Sequence, residues 1–404
     1  MTQGSPLAIL LLILLVGCGG VAKPAGTESL TGPKEPVTTT DARLMRAETS
    51  FSFDLLGRLQ AEKPGQNLFI SPASVSLALA MTYNGARGET QQAMAEALAV
   101  DGMTVAEVNQ ANAALQSVLS NPDPKVELSI ANSIWYQQGY KVNPGFLAAT
   151  GDFYKAEVAP VDFASPTAGP TINRWVSDAT RGKIPKVIGE TDPLDRMYLV
   201  NAIYFNGKWK EPFDEKLTQP RPFFKQDGSS KEHPMMTKDD RFRYLQGDNF
   251  QAVALPYGDG RLNMYVFLPD KGVTLDQFAG SITADRWEAW MGQFRSKEGV
   301  LTLPKVKLEW ESNLKQAMTD LGMGIAFQPG KADFGDLFAG MQEELYIGFI
   351  LHKTFLDMNE KGTEAAAVTV VGIRATSMPA PQERFTMLVD RPYLMAIRDD
   401  KTGA

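Results

Sequence analysis

Two histidines, His233 and His352, are the only imidazoles among 404 residues, and Cys18 is the only thiol. A Ser-His-Asp group needs an imidazole that can take a proton from a hydroxyl. His352 stands in Ile350-Leu351-His352-Lys353, among apolar residues, which reads as a hydrogen-bonded structural histidine rather than a base. His233, beside Pro234 in a polar stretch, reads as a surface loop residue. With the two histidines far apart and no His-x-x-x-His spacing, no zinc site is expected. Glycine-rich loops carrying a phosphate-binding lysine are absent as well. The pair Asp399-Asp400 is too common a pattern to signal acid–base chemistry and reads as a solvated tail. The chain is therefore not expected to be an enzyme or to need a metal or cofactor.

The segment Asn359-Glu360-Lys361-Gly362-Thr363-Glu364-Ala365-Ala366-Ala367-Val368-Thr369-Val370-Val371-Gly372-Ile373 reads as a loop and a strand at once. From Thr363 to Ile373 it lacks proline, carries charge only at Glu364, and is rich in β-branched residues. Alternate positions Thr363, Ala365, Ala367, Thr369, Val371 and Ile373 are small or apolar enough to be buried on one face of a sheet. Gly362 on one side and Ser377-Met378-Pro379-Ala380-Pro381 on the other nevertheless bracket the segment as an exposed connection. A sequence that could join a sheet but is presented outside one is normally an aggregation hazard.

A hydrophobic fraction of 44% over this length permits a large core, and the net charge of -7 argues against a nucleic-acid binder. The short basic cluster from Lys183 to Lys186 reads as a solvated face. Near the N-terminus an apolar run from Leu7 to Val16, too short to span a bilayer, leads into Leu15-Val16-Gly17-Cys18. This resembles the bacterial lipoprotein signal box, which implies cleavage before Cys18, lipidation of Cys18 and a membrane anchor. The expected organisation is a signal peptide over 1–17, a Pro- and Thr-rich tether over 18–41 and a single domain over 42–404. No Lys or Arg precedes Leu7, so an ordinary cleaved signal peptide and secretion is the alternative.

Several elements would position the loop. Leu44, Phe51, Leu55, Leu56 and Leu59 predict an amphipathic helix over Ala42 to Leu59. Ser71 predicts an N-cap with Pro72 at the first helical position, and Gly85 a helix stop. Further helices are expected over Glu89 to Leu98, Ala106 to Leu119 and Leu314 to Leu321. Strands are expected over Glu127 to Tyr136, Tyr198 to Phe205, Val253 to Leu255, Met264 to Leu268, Leu301 to Leu308, Phe385 to Val389 and Leu394 to Ile397. Without repeats or a clear linker, this is an α+β chain in one large domain.

The segment from Asn359 to Ala367 resembles the hinge of the reactive loop in serpins, the serine protease inhibitor family. Asn67-Leu68-Phe69-Ile70-Ser71-Pro72-Ala73-Ser74 is similar to a family block, as are Leu199 to Trp209, Leu303-Pro304-Lys305 and Val389-Asp390-Arg391-Pro392-Tyr393, all in the family's order. The resemblance covers about Ala42 to the C-terminus. It implies three β-sheets, eight to nine helices and an exposed reactive-centre loop over about 360–381. It also implies a suicide-substrate mechanism, in which a serine protease cuts the loop, forms an acyl-enzyme and is dragged away as the loop enters the central sheet. About 14 inserted residues at ~3.3 Å each would span roughly 45 Å.

The resemblance further assigns a hinge to Glu360, Gly362, Thr363, Glu364, Ala365, Ala366 and Ala367. Ser71, Ser74, Asn201 and His352 match a shutter where the sheet parts, Trp209 matches the breach where the loop enters, and Lys305 matches an ion-pair partner for Glu360. Counting forward from Glu360 puts the scissile bond at Thr376-Ser377, which suits elastase-like or subtilisin-like proteases; Arg374-Ala375 is an alternative that suits trypsin-like ones. Counting backward from Pro392 moves the bond several residues toward the C-terminus. No basic helix face implies a polyanion cofactor, and the protein is expected to act as a monomer. A non-inhibitory carrier or binding serpin is the competing function; it would be marked by a large or charged residue at an inward hinge position, and none is present.

Overall fold

The computed structural model describes residues 41–120, 123–340, 345–363 and 383–404. In chain order they form α1 (Ala42–Glu62), α2 (Pro72–Tyr83), α3 (Gly88–Ala97), α4 (Val105–Leu119), β1 (Val126–Gln137), α5 (Pro144–Tyr154), β2 (Glu157–Val161) and α6 (Ala168–Ala179). There follow β3 (Met197–Lys208), β4 (Gln219–Phe224), β5 (Ser230–Gln246), β6 (Phe250–Pro256), β7 (Leu262–Pro269), α7 (Leu275–Gly280), α8 (Ala284–Met291) and β8 (Arg295–Pro304). The remainder are β9 (Val306–Asn313), α9 (Lys315–Asp320), β10 (Ile350–Asn359), β11 (Gly362–Thr363), β12 (Phe385–Leu388) and β13 (Leu394–Asp399). None of these helices is long and apolar enough to cross a membrane.

The strands lie in two hydrogen-bonded sheets. The first has six strands in the order β2-β1-β3-β11-β10-β9. The second runs β12-β8-β5-β6-β7-β13, with β4 paired to β5. Its 17-residue β5 pairs with β4 over Ser230–Met235, with β8 over Met235–Tyr244 and with β6 over only its last four residues. Continuous hydrogen bonding through β5 thus joins what the resemblance counts as a second and a third sheet.

Helix α1 buries Leu44, Phe51, Leu55 and Leu59 at helical spacing against α2, which is itself buried from Ser74 to Tyr83. These helices back one face of the six-stranded sheet, where Ile134, Leu199 and Ile350 join their core. The opposite face meets α6, whose Ile172 and Val176 pack on Trp135, Tyr198, Val200 and Ala202. A third cluster, with Trp209, Met236, Tyr257, Leu303 and Met358, spans the two sheets.

Some local expectations are corrected. Gly85 does not stop α2 through a left-handed cap: it is absent from the positive-φ glycines, and a Cβ there would meet Leu337 Cδ2 at 2.1 Å, so the glycine serves close packing. The run from Leu301 to Leu308 is two strands in different sheets, because the chain turns at Pro304 and Lys305. His233 lies in β5 rather than a loop, with Nε2 2.6 Å from the Lys305 carbonyl. Asp399 is buried, not solvated, and holds Arg261, while Asp400 binds Arg243, Arg398 and Tyr265.

Candidate functional site

The site is a slit in the six-stranded sheet. Strands β3 and β10 pair in parallel only over Leu199–Ala202 and Ile350–Lys353. Farther along, β11 lies between them: Gly362 pairs with Lys208 and Asn359, and Thr363 with Gly207 and Met358. Between these two closures the facing edges at 203–206 and 354–357 carry no ladder partner among the described residues. A single extended strand would complete both ladders.

At the β11 end, the turn before Gly362 is tied down by its backbone. The N–H groups of Trp209 and Phe213 donate to the Lys361 and Glu360 carbonyls at 3.0 and 2.8 Å, and Trp209 Nε1 donates to the Asn359 carbonyl at 2.9 Å. Lys305 Nζ bonds Glu360 Oε2 at 2.8 Å and the Thr218 hydroxyl donates to Oε1 at 2.7 Å. Burial alone would raise the Glu360 carboxyl, but the Lys305 ammonium and the Thr218 hydroxyl hold it below its ordinary value. Gly362 has φ +148°, and a Cβ there would sit 2.1 Å from the Gly207 carbonyl oxygen. Only glycine fits that entrance. Thr363 points inward, 1% exposed, with Oγ1 2.7 Å from the Tyr257 hydroxyl, and Tyr257 stacks on Trp209 at 4.3 Å.

At the other closure stand Ser71, Ser74, Asn201 and His352. His352 is fully buried, and its Nε2 accepts the Ser71 backbone N–H at 3.0 Å. The ring proton therefore sits on Nδ1, which is buried and has no hydrogen-bond partner among the described residues. Burial pushes the imidazole down to about 4, so it is neutral at physiological pH. Ser71 occupies the position before α2, yet its hydroxyl makes no cap; it donates to Ser74 Oγ at 3.0 Å. Asn201 Nδ2 donates to Asn132 Oδ1 at 2.7 Å and to the Ser74 carbonyl at 3.1 Å, leaving Oδ1 buried and without a partner among the described residues.

The structure thus brings Glu360, Gly362, Thr363, Trp209 and Lys305 together at one closure and Ser71, Ser74, Asn201 and His352 at the other. Glu364, Ala365, Ala366, Ala367, Arg374, Ala375, Thr376, Ser377 and Cys18 lie outside the described residues. Sequence reasoning missed Thr218, Tyr257, Gly207 and Asn132. Tyr257 directly follows β6 in Leu255-Pro256-Tyr257-Gly258, a pattern that does not announce a partner across the sheet.

The family model described as Serpin (serine protease inhibitor) matches residues 46–404. Leukocyte elastase inhibitor of Equus caballus is 34% identical over 373 residues, covering 89% of this chain and 97% of the relative. Among solved structures, the thermophilic serpin tengpin in its native state superposes with a TM-score of 0.84 at 31% identity, covering 91% of this chain and 94% of that one. Tengpin in its latent state gives a TM-score of 0.78 at 28% identity, over 91% of this chain and 96% of that one.

Proposed function

Since the chain belongs to the serpin family, we propose that it inhibits serine proteases as a suicide substrate, trapping the enzyme as an acyl-enzyme while its cut loop fills the slit between β3 and β10. The observation that carries this reading is β11, which enters the slit in antiparallel register with both neighbours. Continued residue by residue, that register would place Ile373 opposite Met197, the first residue of β3. Insertion would then replace the four rungs that join β3 to β10 and add ladder bonds on both sides, each worth ~0.5–1.5 kcal/mol net. On this reading the intact fold is metastable to the extent that these bonds, with the burial of the inserted side chains, exceed the entropy cost of ordering the loop.

The register also favours one bond. A cut at Thr376-Ser377 leaves Arg374, Ala375 and Thr376 to run past the end of β3 and carry the enzyme clear of the sheet. A cut at Arg374-Ala375 leaves a single residue for that span. An elastase-like or subtilisin-like target suits a small residue before the cut, and the name of the horse relative, leukocyte elastase inhibitor, points the same way. Mixing the protein with pancreatic elastase or subtilisin is expected to give a complex that survives denaturing electrophoresis. Clean cleavage without a complex across a protease panel would instead make it a non-inhibitory member.

Export is part of the same reading. The Leu15-Val16-Gly17-Cys18 box motivates a lipid anchor at Cys18 that holds the inhibitor at a membrane surface. Radioactive palmitate should label the wild type and not a Cys18→Ala variant; equal labelling of both, or of neither, removes the anchor.

A further inference from the structure

Among the described residues β11 comprises Gly362 and Thr363, and both its edges are paired in the intact chain. Two backbone rungs give little against the entropy of ordering the segment, so they do not by themselves hold Gly362 and Thr363 in the sheet. The side chains supply a second hold. Tyr257 is fully buried, stacked on Trp209 at an interplanar angle of 15° and met edge-on by Phe205 at 5.0 Å, so its ring has one place to be. From that fixed ring the hydroxyl meets Thr363 Oγ1 at 2.7 Å, and both groups are out of contact with water. Gly207, the rung partner of Thr363, leaves the space for this contact: a Cβ there would lie 2.8 Å from Tyr257 Cδ1.

We propose that Tyr257 is a positioning residue that seats the reactive loop in the sheet of the intact protein, through its hydroxyl bond to Thr363. A seated first rung biases the fate of the acyl-enzyme. That intermediate can be hydrolysed by water or outrun by insertion, and a strand already started need not form its first contacts afresh. The seating stands on the contact itself; its consequence for trapping rests on the inhibitor reading above.

The test uses the full chain as wild type, Tyr257→Phe, Thr363→Val and the double variant. Both single changes remove the bond while keeping the ring and the side-chain shape. Amide hydrogen exchange of the peptide carrying Gly362 and Thr363 is expected to speed up about fivefold in each single variant, and no further in the double. With elastase, the ratio of cleaved to trapped inhibitor is expected to rise by a similar factor. Unchanged exchange in Tyr257→Phe overturns the proposal, as does a double variant in which the two effects simply multiply. Trp209 fluorescence reports whether the stacked ring has stayed in place, and Thr363→Val decides alone if Tyr257→Phe disturbs it. Should the wild type trap no protease, the inhibitor reading fails while the exchange measurement still decides whether the loop is seated.

Discussion

Asn201 and His352 occupy the same rung of the β3–β10 ladder, and Asn201 Oδ1 and His352 Nδ1 are both buried without a hydrogen-bond partner among the described residues. A closed seam with unsatisfied polar atoms stores free energy, since each such atom costs ~1–3 kcal/mol. The rung holding the slit shut is therefore less stable than its backbone pairing suggests.

His352 makes that seam acid-sensitive. Its folded pKa of about 4 lies below the unfolded value of ~6.5, so the unfolded chain binds the extra proton between those limits and stability falls as pH drops through that window. Thermal melts from pH 7 to pH 4.5 should show a loss approaching ~3 kcal/mol from this residue. A His352→Gln variant should show a flatter profile over the same range; an unchanged slope would assign the acid sensitivity elsewhere.

Glu48 acts in the opposite direction. This α1 residue is 6% exposed, accepts a hydrogen bond from Ser76 and leaves Oε2 without a partner among the described residues, and burial pushes its carboxyl up to about 8. The unfolded chain loses the proton near pH 4.5 while the folded one keeps it, so stability declines as pH rises from there to about 8. Glu48→Gln should raise stability at pH 7.5 by ~2–4 kcal/mol and change little at pH 4.5, as read by urea denaturation.

Gly362→Ala should expel β11. The added methyl would collide with the Gly207 carbonyl, and the positive φ disfavours any other residue. Proton exchange at Thr363 should reach loop rates, and the yield of protease complex should fall by at least about tenfold, because on the proposed mechanism the loop would enter the sheet through this residue. Full complex yield would mean that the entrance tolerates a shifted register.

The Lys305–Glu360 pair is half-open, since Lys305 is 37% exposed while Glu360 is 8% exposed at its side chain. Its Coulomb worth is discounted accordingly, but Lys305→Met leaves a buried carboxylate with Thr218 as its side-chain partner. The expected loss is ~1 kcal/mol for Lys305→Met and less for Lys305→Met combined with Glu360→Gln, measured by denaturant midpoints.

Much of this site was legible in the sequence because its residues sit in short, ordered blocks. Ser71-Pro72 marked the start of α2, although the structure uses the Ser71 hydroxyl for Ser74 rather than as a cap. Strand β10 escaped notice because its buried face, Ile350, His352, Thr354, Leu356 and Met358, includes two polar residues that break the apolar alternation. Lys305 sits where one run of β-formers changes sheets, which hydrophobicity cannot reveal. Tyr257 and Thr218 were invisible for a different reason: their importance comes from contacts across more than a hundred residues of chain.

The last two strands have a consequence for how a spent molecule is detected. Strands β12 and β13 pair with β8 and β7, and Arg391 donates to the Pro269 carbonyl, all on the far side of any bond broken near residue 376. The severed tail is thus woven into the body that it has been cut from. A molecule cleaved without trapping an enzyme would migrate on a sizing column like an intact one, and only detergent and heat would show it to be two pieces.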